Sequence, residues 1–201
     1  MSSQDRFKER YKTGDTPWDV GMPEFNLTNM VLKRPIEACK ALEIGCGTGD
    51  NAVWLSQHNF EVTGSDLSEI AIEKAKGKAS VAGVEVTFLV ADFLSQKIPS
   101  VPWGFIFDRG CFHSFDLDED RSKFAQKVSL CLEKEGLWLS IMGNADGAPR
   151  QAGPPKRTAH DIVAAVEPCF KILSLTSSHF DSSRTNPPMA WVCLMQNRGG
   201  I

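Results

Sequence analysis

The nine residues LEIGCGTGD, Leu42 to Asp50, decide how the rest of the chain is read. The apolar run ACKALEIG ends in a turn where Gly45, Gly47 and Gly49 alternate with other residues, and DNAVWLSQHN then takes up helical spacing. A strand, a glycine turn and a helix open an α/β unit whose turn admits a ligand close to the backbone, because no Cβ stands in the way. A dinucleotide turn asks for G-x-G-x-x-G, and its third glycine would fall on Asp50. The pattern here is instead E-x-G-x-G-x-G, with Glu43 ahead of the turn. A carboxylate there repels a pyrophosphate and suits a cationic ligand. A tight turn without a ligand is the plain alternative.

Working outward, FEVTGSD reads as a strand that ends at Asp66, placing an acid about 20 residues beyond the glycines, where it can take both hydroxyls of a ribose. Leu67 follows it. SEIAIEKAKGKASVAG is a helix capped by Ser68 and ended near Gly83. VEVTFLVAD is the next strand. At its end Asp92 is a candidate acceptor for an adenine amino group, with Phe93 to cover the ring. WGFIFD is a fourth strand, and LDEDRSKFAQKVSLCLEKEG reads as a helix whose terminal Gly136 leads into the strand GLWLSIM. Ligands bind at the carboxyl ends of parallel strands, so three such ends carrying this chemistry indicate a nucleoside-type site.

The tail differs. After the Gly- and Pro-rich loop GNADGAPRQAGPPKR and the helix TAHDIVAAVEPCF, the strands KILSLTSSHF and MAWVCLMQ have no helix between them. The expected fold is therefore α/β, a doubly wound, Rossmann-like, mostly parallel sheet of seven strands with a C-terminal antiparallel hairpin and helices on both faces. One domain is expected over 1–201, with 1–37 as an N-terminal helical lid and 38–201 as the core. In the first part FNLTNMVLK has helical spacing, and Pro35 is expected to stop it.

Composition narrows the function. The 201 residues carry a net charge of −3, which gives no electrostatic case for nucleic acid. The start, MSSQDRFKERYK, has no apolar core of a leader, and no run approaches the roughly 20 apolar residues of a membrane span. The six cysteines are scattered without a C-x-x-C pair, so reduced thiols are expected, and neither a metal site nor a disulfide framework. These features suggest a cytoplasmic protein acting on a small molecule, as a monomer or homodimer, with no nucleic-acid or membrane partner and no metal.

EIGCGTG, GSDLS, ADF and the terminal strand pair resemble the class I S-adenosylmethionine-dependent methyltransferases, from about Ala38 onward. FDRGCFHSF is similar to the DRG segment of the thiopurine methyltransferases. AGPPKRT is similar to the GPP loop that those enzymes share with the plant halide/thiol methyltransferases, and TGDTPWDVG is similar to the latter's G-x-TPWD-x-G. The resemblance implies S-adenosyl-L-methionine as cofactor, S-adenosyl-L-homocysteine as product, and a small acceptor, most simply a thiol, thiopurine, halide or chalcogen. It implies cofactor contacts at Phe7, Tyr11 and Trp18 in the lid, at Gly45 and Gly47 in the turn, at Asp66, and at Arg109 of the DRG segment; Glu43, Cys46, Leu67, Asp92 and Phe93, at the same strand ends, complete the candidate cofactor contacts. The thiopurine enzymes have a degenerate glycine turn where this one is regular, so their substrate does not carry over.

Around the acceptor, Trp18, Phe112, Pro154 and Arg184 are the candidate pocket residues, and His113 is the candidate base. A histidine bonded within its own loop is the alternative. A thiolate or halide needs little or no base, because a thiol of pKa near about 8.5 is partly ionised unaided. An amine or hydroxyl acceptor would call for one. Two further readings remain: an O- or N-methyltransferase of a small metabolite, and a domain that binds the cofactor without catalysis. In GDTPWDVGMPEF, the aromatic residues of an apparent loop make sense as a lid over the site.

Overall fold

The computed structural model describes residues 3–33, 36–96, 98, 102–148, 153–183 and 185–199. Helices α1 (Ser3–Thr13) and α2 (Phe25–Lys33) precede β1 (Lys40–Ile44). There follow α3 (Asp50–Gln57), β2 (Glu61–Asp66), α4 (Glu69–Ala82), β3 (Val86–Val90) and β4 (Trp103–Arg109). The chain continues through α5 (Asp118–Cys131), β5 (Leu132–Gly143), α6 (Ala159–Val166), β6 (Phe170–His179) and β7 (Met189–Asn197).

The seven strands form one sheet in the order β3-β2-β1-β4-β5-β7-β6. The pairs among β1 to β5 are parallel, and β7 runs antiparallel to both β5 and β6. The expected mostly parallel sheet with a terminal hairpin is what forms, with the last strand inserted between the fifth and sixth. Central strands buried on both faces read as continuous apolar runs, and alternate residues of β4 and β5 feed two cores. Ile106, Trp138 and Met142 pack with Phe124 and Val128 of α5 and Ile162 of α6. Phe105, Phe107 and Leu139 pack with Leu27 of α2 and Leu55 of α3 on the other face. Reversal of the winding at β1 and β4 leaves a crevice at the carboxyl edge of the sheet.

Local chemistry sets most boundaries. The Ser68 hydroxyl accepts from the Ala71 amide and caps α4, and Gly83 at φ 67° ends it. Thr158 and Asp161 cap α6 reciprocally. One expectation needs correction. The helix expected through Gly136 stops at Cys131, because Leu132 turns extended and buries its side chain beside Trp103, so that Leu132–Gly136 belongs to an irregular start of β5. Between β3 and β4 the described residues make a turn at 93–95 and no helix. Pro35 lies outside the described residues. No described helix is long and apolar enough to cross a membrane.

Candidate active site

The glycine turn sits between β1 and α3. Gly45, Gly47 and Gly49 all have positive φ (70°, 53° and 87°), where an L side chain is strained. Close packing adds a second reason for glycine. A Cβ on Gly45 would stand 2.2 Å from the Cys111 Sγ, and one on Gly47 would stand 2.7 Å from the Tyr11 hydroxyl. The space that sequence reading reserved for a ligand at these two Cβ positions is thus taken by protein atoms. The backbone itself borders a cavity of about 440 Å³ at the carboxyl edge, within the roughly 300–1,000 Å³ of small-molecule sites.

Asp66, at the end of β2, ties the floor of this cavity together. Its Oδ2 accepts from the Gly47 amide at 2.9 Å and its Oδ1 from the Ser68 amide at 2.8 Å. Burial raises its pKa, and these amide bonds oppose the rise. A carboxylate has about four acceptor positions, so capacity is left for ligand hydroxyls. Leu67 and Cys46 line the cavity beside it. At the end of β3, Asp92 and Phe93 line the same wall. The Asp92 Oδ1 accepts from the Leu94 amide at 3.0 Å, and the Phe93 ring packs on Phe124 with Lys127 over it.

The roof comes from the N-terminus. Phe7 and Tyr11 of α1 meet Trp18 edge-on at 5.6 and 6.0 Å, and the Trp18 indole donates to the Tyr11 hydroxyl at 3.2 Å. All three line the cavity. Tyr11 is buried, which raises the pKa of its phenol and keeps it protonated. Arg109, at the end of β4, also lines the cavity, and each of its guanidinium nitrogens has a protein partner. It donates to Glu24 Oε2 at 2.5 Å, to the Asp181 carbonyl at 2.5 Å and to the Trp18 carbonyl at 3.5 Å. The arginine expected to touch the cofactor is also a clamp that joins β4, the lid loop and the segment after β6.

His113 and Pro154 line the acceptor side. His113 occupies a short 3₁₀ turn, Phe112–Ser114, and is 4% exposed. The Gly143 amide donates to its Nδ1 at 2.7 Å. Burial, with Arg157 and Arg109 adding positive potential, lowers its pKa to about 3. That places the ring far from the near-neutral base anticipated from the sequence.

Two candidates fall elsewhere. Glu43 does not line the cavity: it lies behind the turn, 1% exposed, with Oε1 accepting from Asn51 and Oε2 buried without a partner among the described residues. Burial lifts its pKa to about 8, which favours the neutral acid and weakens its pull on a cationic ligand. Phe112 is fully buried in the core against Phe124 and Trp138, and Phe115, three residues on, lines the cavity in its place. The buried Asp108 carboxylate causes this by accepting from both the Cys111 and Phe112 amides, which turns Phe112 inward. Arg184 lies outside the described residues.

Glu24, Phe180 and Asp181 also border the cavity and were missed from the sequence. Glu24 is 2% exposed and receives Arg109, Asn26 and the Asp181 amide, while Asp181 Oδ2 accepts from the first amide of α2 at 2.9 Å. Their partners are remote in the chain, so no local pattern marks them. Only the carboxylate in an otherwise apolar GMPEF hinted at a buried partner.

A family model described as "Methyltransferase domain" matches residues 41–136. The chain is 30% identical over 156 residues to "Probable thiol methyltransferase 2" of Arabidopsis thaliana, covering 77% of this chain and 67% of that protein. A solved structure described as "Conversion of a Disulfide Bond into a Thioacetal Group during Echinomycin Biosynthesis" superposes with a TM-score of 0.83 at 24% identity, covering 96% of this chain and 91% of that one. Magnesium protoporphyrin IX methyltransferase from Synechocystis PCC 6803, solved with S-adenosylmethionine bound, superposes with a TM-score of 0.71 at 16% identity, covering 98% of each chain.

Proposed function

The chain belongs to the class I S-adenosylmethionine-dependent methyltransferases, and from that premise we propose that it methylates a small, soft nucleophile, foremost a thiolate. When bound, S-adenosylmethionine supplies a methyl carbon on a cationic sulfur, so that the acceptor's lone pair forms the new bond as the carbon–sulfur bond breaks and its electron pair stays on the thioether.

The chain's own part is to hold, align and exclude water. The free acceptor positions of Asp66 suit ribose hydroxyls, and the backbone of the glycine turn and Leu67 border the same space. Phe93 and Ala91 offer an apolar wall for an adenine. Trp18, Phe115, Phe180 and Pro154 form a largely apolar acceptor side, where charge neutralisation between an anion and a sulfonium is favoured over hydration.

The carrying observation is that His113, the candidate base, is held neutral with Nδ1 already bonded. An acceptor that needs no deprotonation fits such a site. The thiol methyltransferase relative points the same way. An O- or N-methyltransferase would draw on Asp181, which also lines the cavity, but one of its oxygens is engaged with α2.

Calorimetry with S-adenosylhomocysteine tests the cofactor half, with binding expected at or below tens of micromolar. A panel of thiols, halides, chalcogen anions, amines and hydroxyls tests the acceptor half. Turnover confined to amines or hydroxyls would refute the soft-nucleophile reading, and tight cofactor binding with no turnover at all would favour a non-catalytic domain.

A further inference from the structure

His113 is oriented by one bond and left open at its other nitrogen. The Gly143 amide donates to Nδ1, so that nitrogen is an acceptor, and a neutral imidazole then carries its proton on Nε2. The ring stands edge-on to Phe180 at 5.9 Å. Gly110, at φ 91°, lies alongside, and a Cβ there would come within 3.2 Å of Nε2. Gly110, His113 and Phe180 all border the cavity, and no bond to Nε2 is found among the described residues.

We propose that His113 is a fixed, uncharged hydrogen-bond donor whose Nε2–H positions the acceptor, and that the site thereby selects small acceptors that arrive already ionised. The inference rests on the soft-nucleophile reading and deepens it. The groups around the ring support it. Arg157 and Arg109 bring positive potential, and burial acts in the same direction, so the ring stays neutral at any ordinary working pH. Asp108 spends its oxygens on the Cys111 and Phe112 amides and the Trp138 indole, and burial raises the Cys111 thiol well above its usual range. The Asp181 carbonyl, next to Phe180, takes the Arg109 guanidinium.

A neutral donor has a particular consequence. It orients an anion's lone pair without the strong ground-state pairing that a buried cation would impose. Its bond to the acceptor is made before the reaction and is not strengthened during it, because the acceptor's charge declines toward the transition state. The donor's contribution is therefore to binding and alignment, which appears in KM more than in kcat.

Two variants and one spectrum test this. His113→Asn keeps an acceptor near the Nδ1 position for the Gly143 amide but withdraws the donor, whereas His113→Gln returns an amide N–H at about the reach of Nε2. With a thiolate acceptor, the Asn variant is expected to raise KM by about ten- to a hundredfold, as for loss of a hydrogen bond to a charged group, with kcat within about twofold. Its pH–rate profile should keep the wild-type apparent pKa, because that limb reports the acceptor's own ionisation. The Gln variant should recover part of the KM. In the ligand-free wild type, ¹⁵N NMR of the His113 ring should show the Nε2–H tautomer unchanged from about pH 5 to about pH 9. An unchanged KM in the Asn variant would overturn the inference while leaving the soft-nucleophile reading intact, whereas a ring that titrates in that window, or a kcat that collapses with loss of the pH limb, would overturn the inference and remove the observation that carries that reading. Failure of the wild type on every ionised acceptor would overturn that reading, and the inference with it.

Discussion

The floor of the cavity is joined by residues close in sequence, whereas its roof is assembled from segments up to 157 residues apart. On the floor, Asp66 accepts from an amide 19 residues away and from another two residues away, and Ser68 caps the helix that follows. On the roof, Glu24 binds Arg109 across 85 residues, and Asp181 reaches back to the start of α2 across 156. The floor is thus part of the sheet's own wiring. The roof hangs on a few long-range polar contacts, among them the nearly buried Glu24–Arg109 pair.

That pair is the first place to break the comparison. The Glu24 side chain is 1% exposed and the Arg109 side chain 13%, so removing the anion strands a nearly buried guanidinium. Glu24→Ala is expected to cost about 3–5 kcal/mol, which for a chain of this size lowers Tm by roughly 10 °C or more. Thermal unfolding of the ligand-free protein measures it. A shift below about 2 °C would mean that the roof is held by its apolar contacts instead.

This difference also explains what was legible beforehand. Strand ends and caps are spelled locally, so Asp66, Ser68 and Gly83 could be placed from their own neighbourhoods, and the alternation of buried runs gave the sheet and its terminal hairpin. Glu43 and Phe112 were misplaced because a sequence shows that a residue lies near a turn but not which way its side chain leaves the backbone. At Phe112 the direction is set by Asp108, four residues earlier and fully buried. Glu24 and Asp181 were invisible because each acquires its role only when distant segments meet.

Within the floor, Glu43 offers a pH-dependent test. Its folded pKa is raised from 4.5 to about 8, chiefly by burial. The stability it contributes is therefore fully present below about pH 4.5 and is lost as pH rises through about 8. Glu43→Gln removes that loss while keeping an oxygen for Asn51. Between about pH 5 and pH 9 the wild type should lose about 4 kcal/mol relative to the Gln variant in denaturant unfolding. The His113 contribution has the opposite sign, because its folded pKa is depressed, and it falls away only as pH drops from 6.5 toward about 3. It is common to both proteins and cancels in the difference. Parallel curves for the two proteins would show that water reaches Glu43.

Trp18 separates lid from plug. It packs on Phe7 and Tyr11, with the Arg10 guanidinium 4.5 Å above its ring, and is only partly buried. Trp18→Ala should weaken S-adenosylhomocysteine binding about tenfold by calorimetry and move the ligand-free Tm by less than about 2 °C. The reverse pattern, a large Tm loss with intact affinity, would make Trp18 structural and extend the floor's logic to the roof.

The smallest effect is expected where floor and roof touch. Lys78 of α4 reaches Asp50 Oδ2 at 2.6 Å and Thr48 Oγ1 at 2.7 Å beside the glycine turn, and it stands 3.6 Å from Asp19 Oδ1 of the lid loop. Thr48 donates to the same Asp19 oxygen at 2.9 Å, so a cation and a hydroxyl fasten lid to turn. The lysine side chain is 34% exposed, and solvent screens much of the attraction. Lys78→Met should therefore leave the fold intact and weaken S-adenosylhomocysteine binding only about two- to threefold at low ionic strength, within the roughly 1 kcal/mol of a surface pair. The difference should vanish near 1 M salt, where the screening length falls to about 3 Å. If it persists there, Lys78 acts through its short hydrogen bonds to Asp50 and Thr48, and the junction belongs with the salt-insensitive floor.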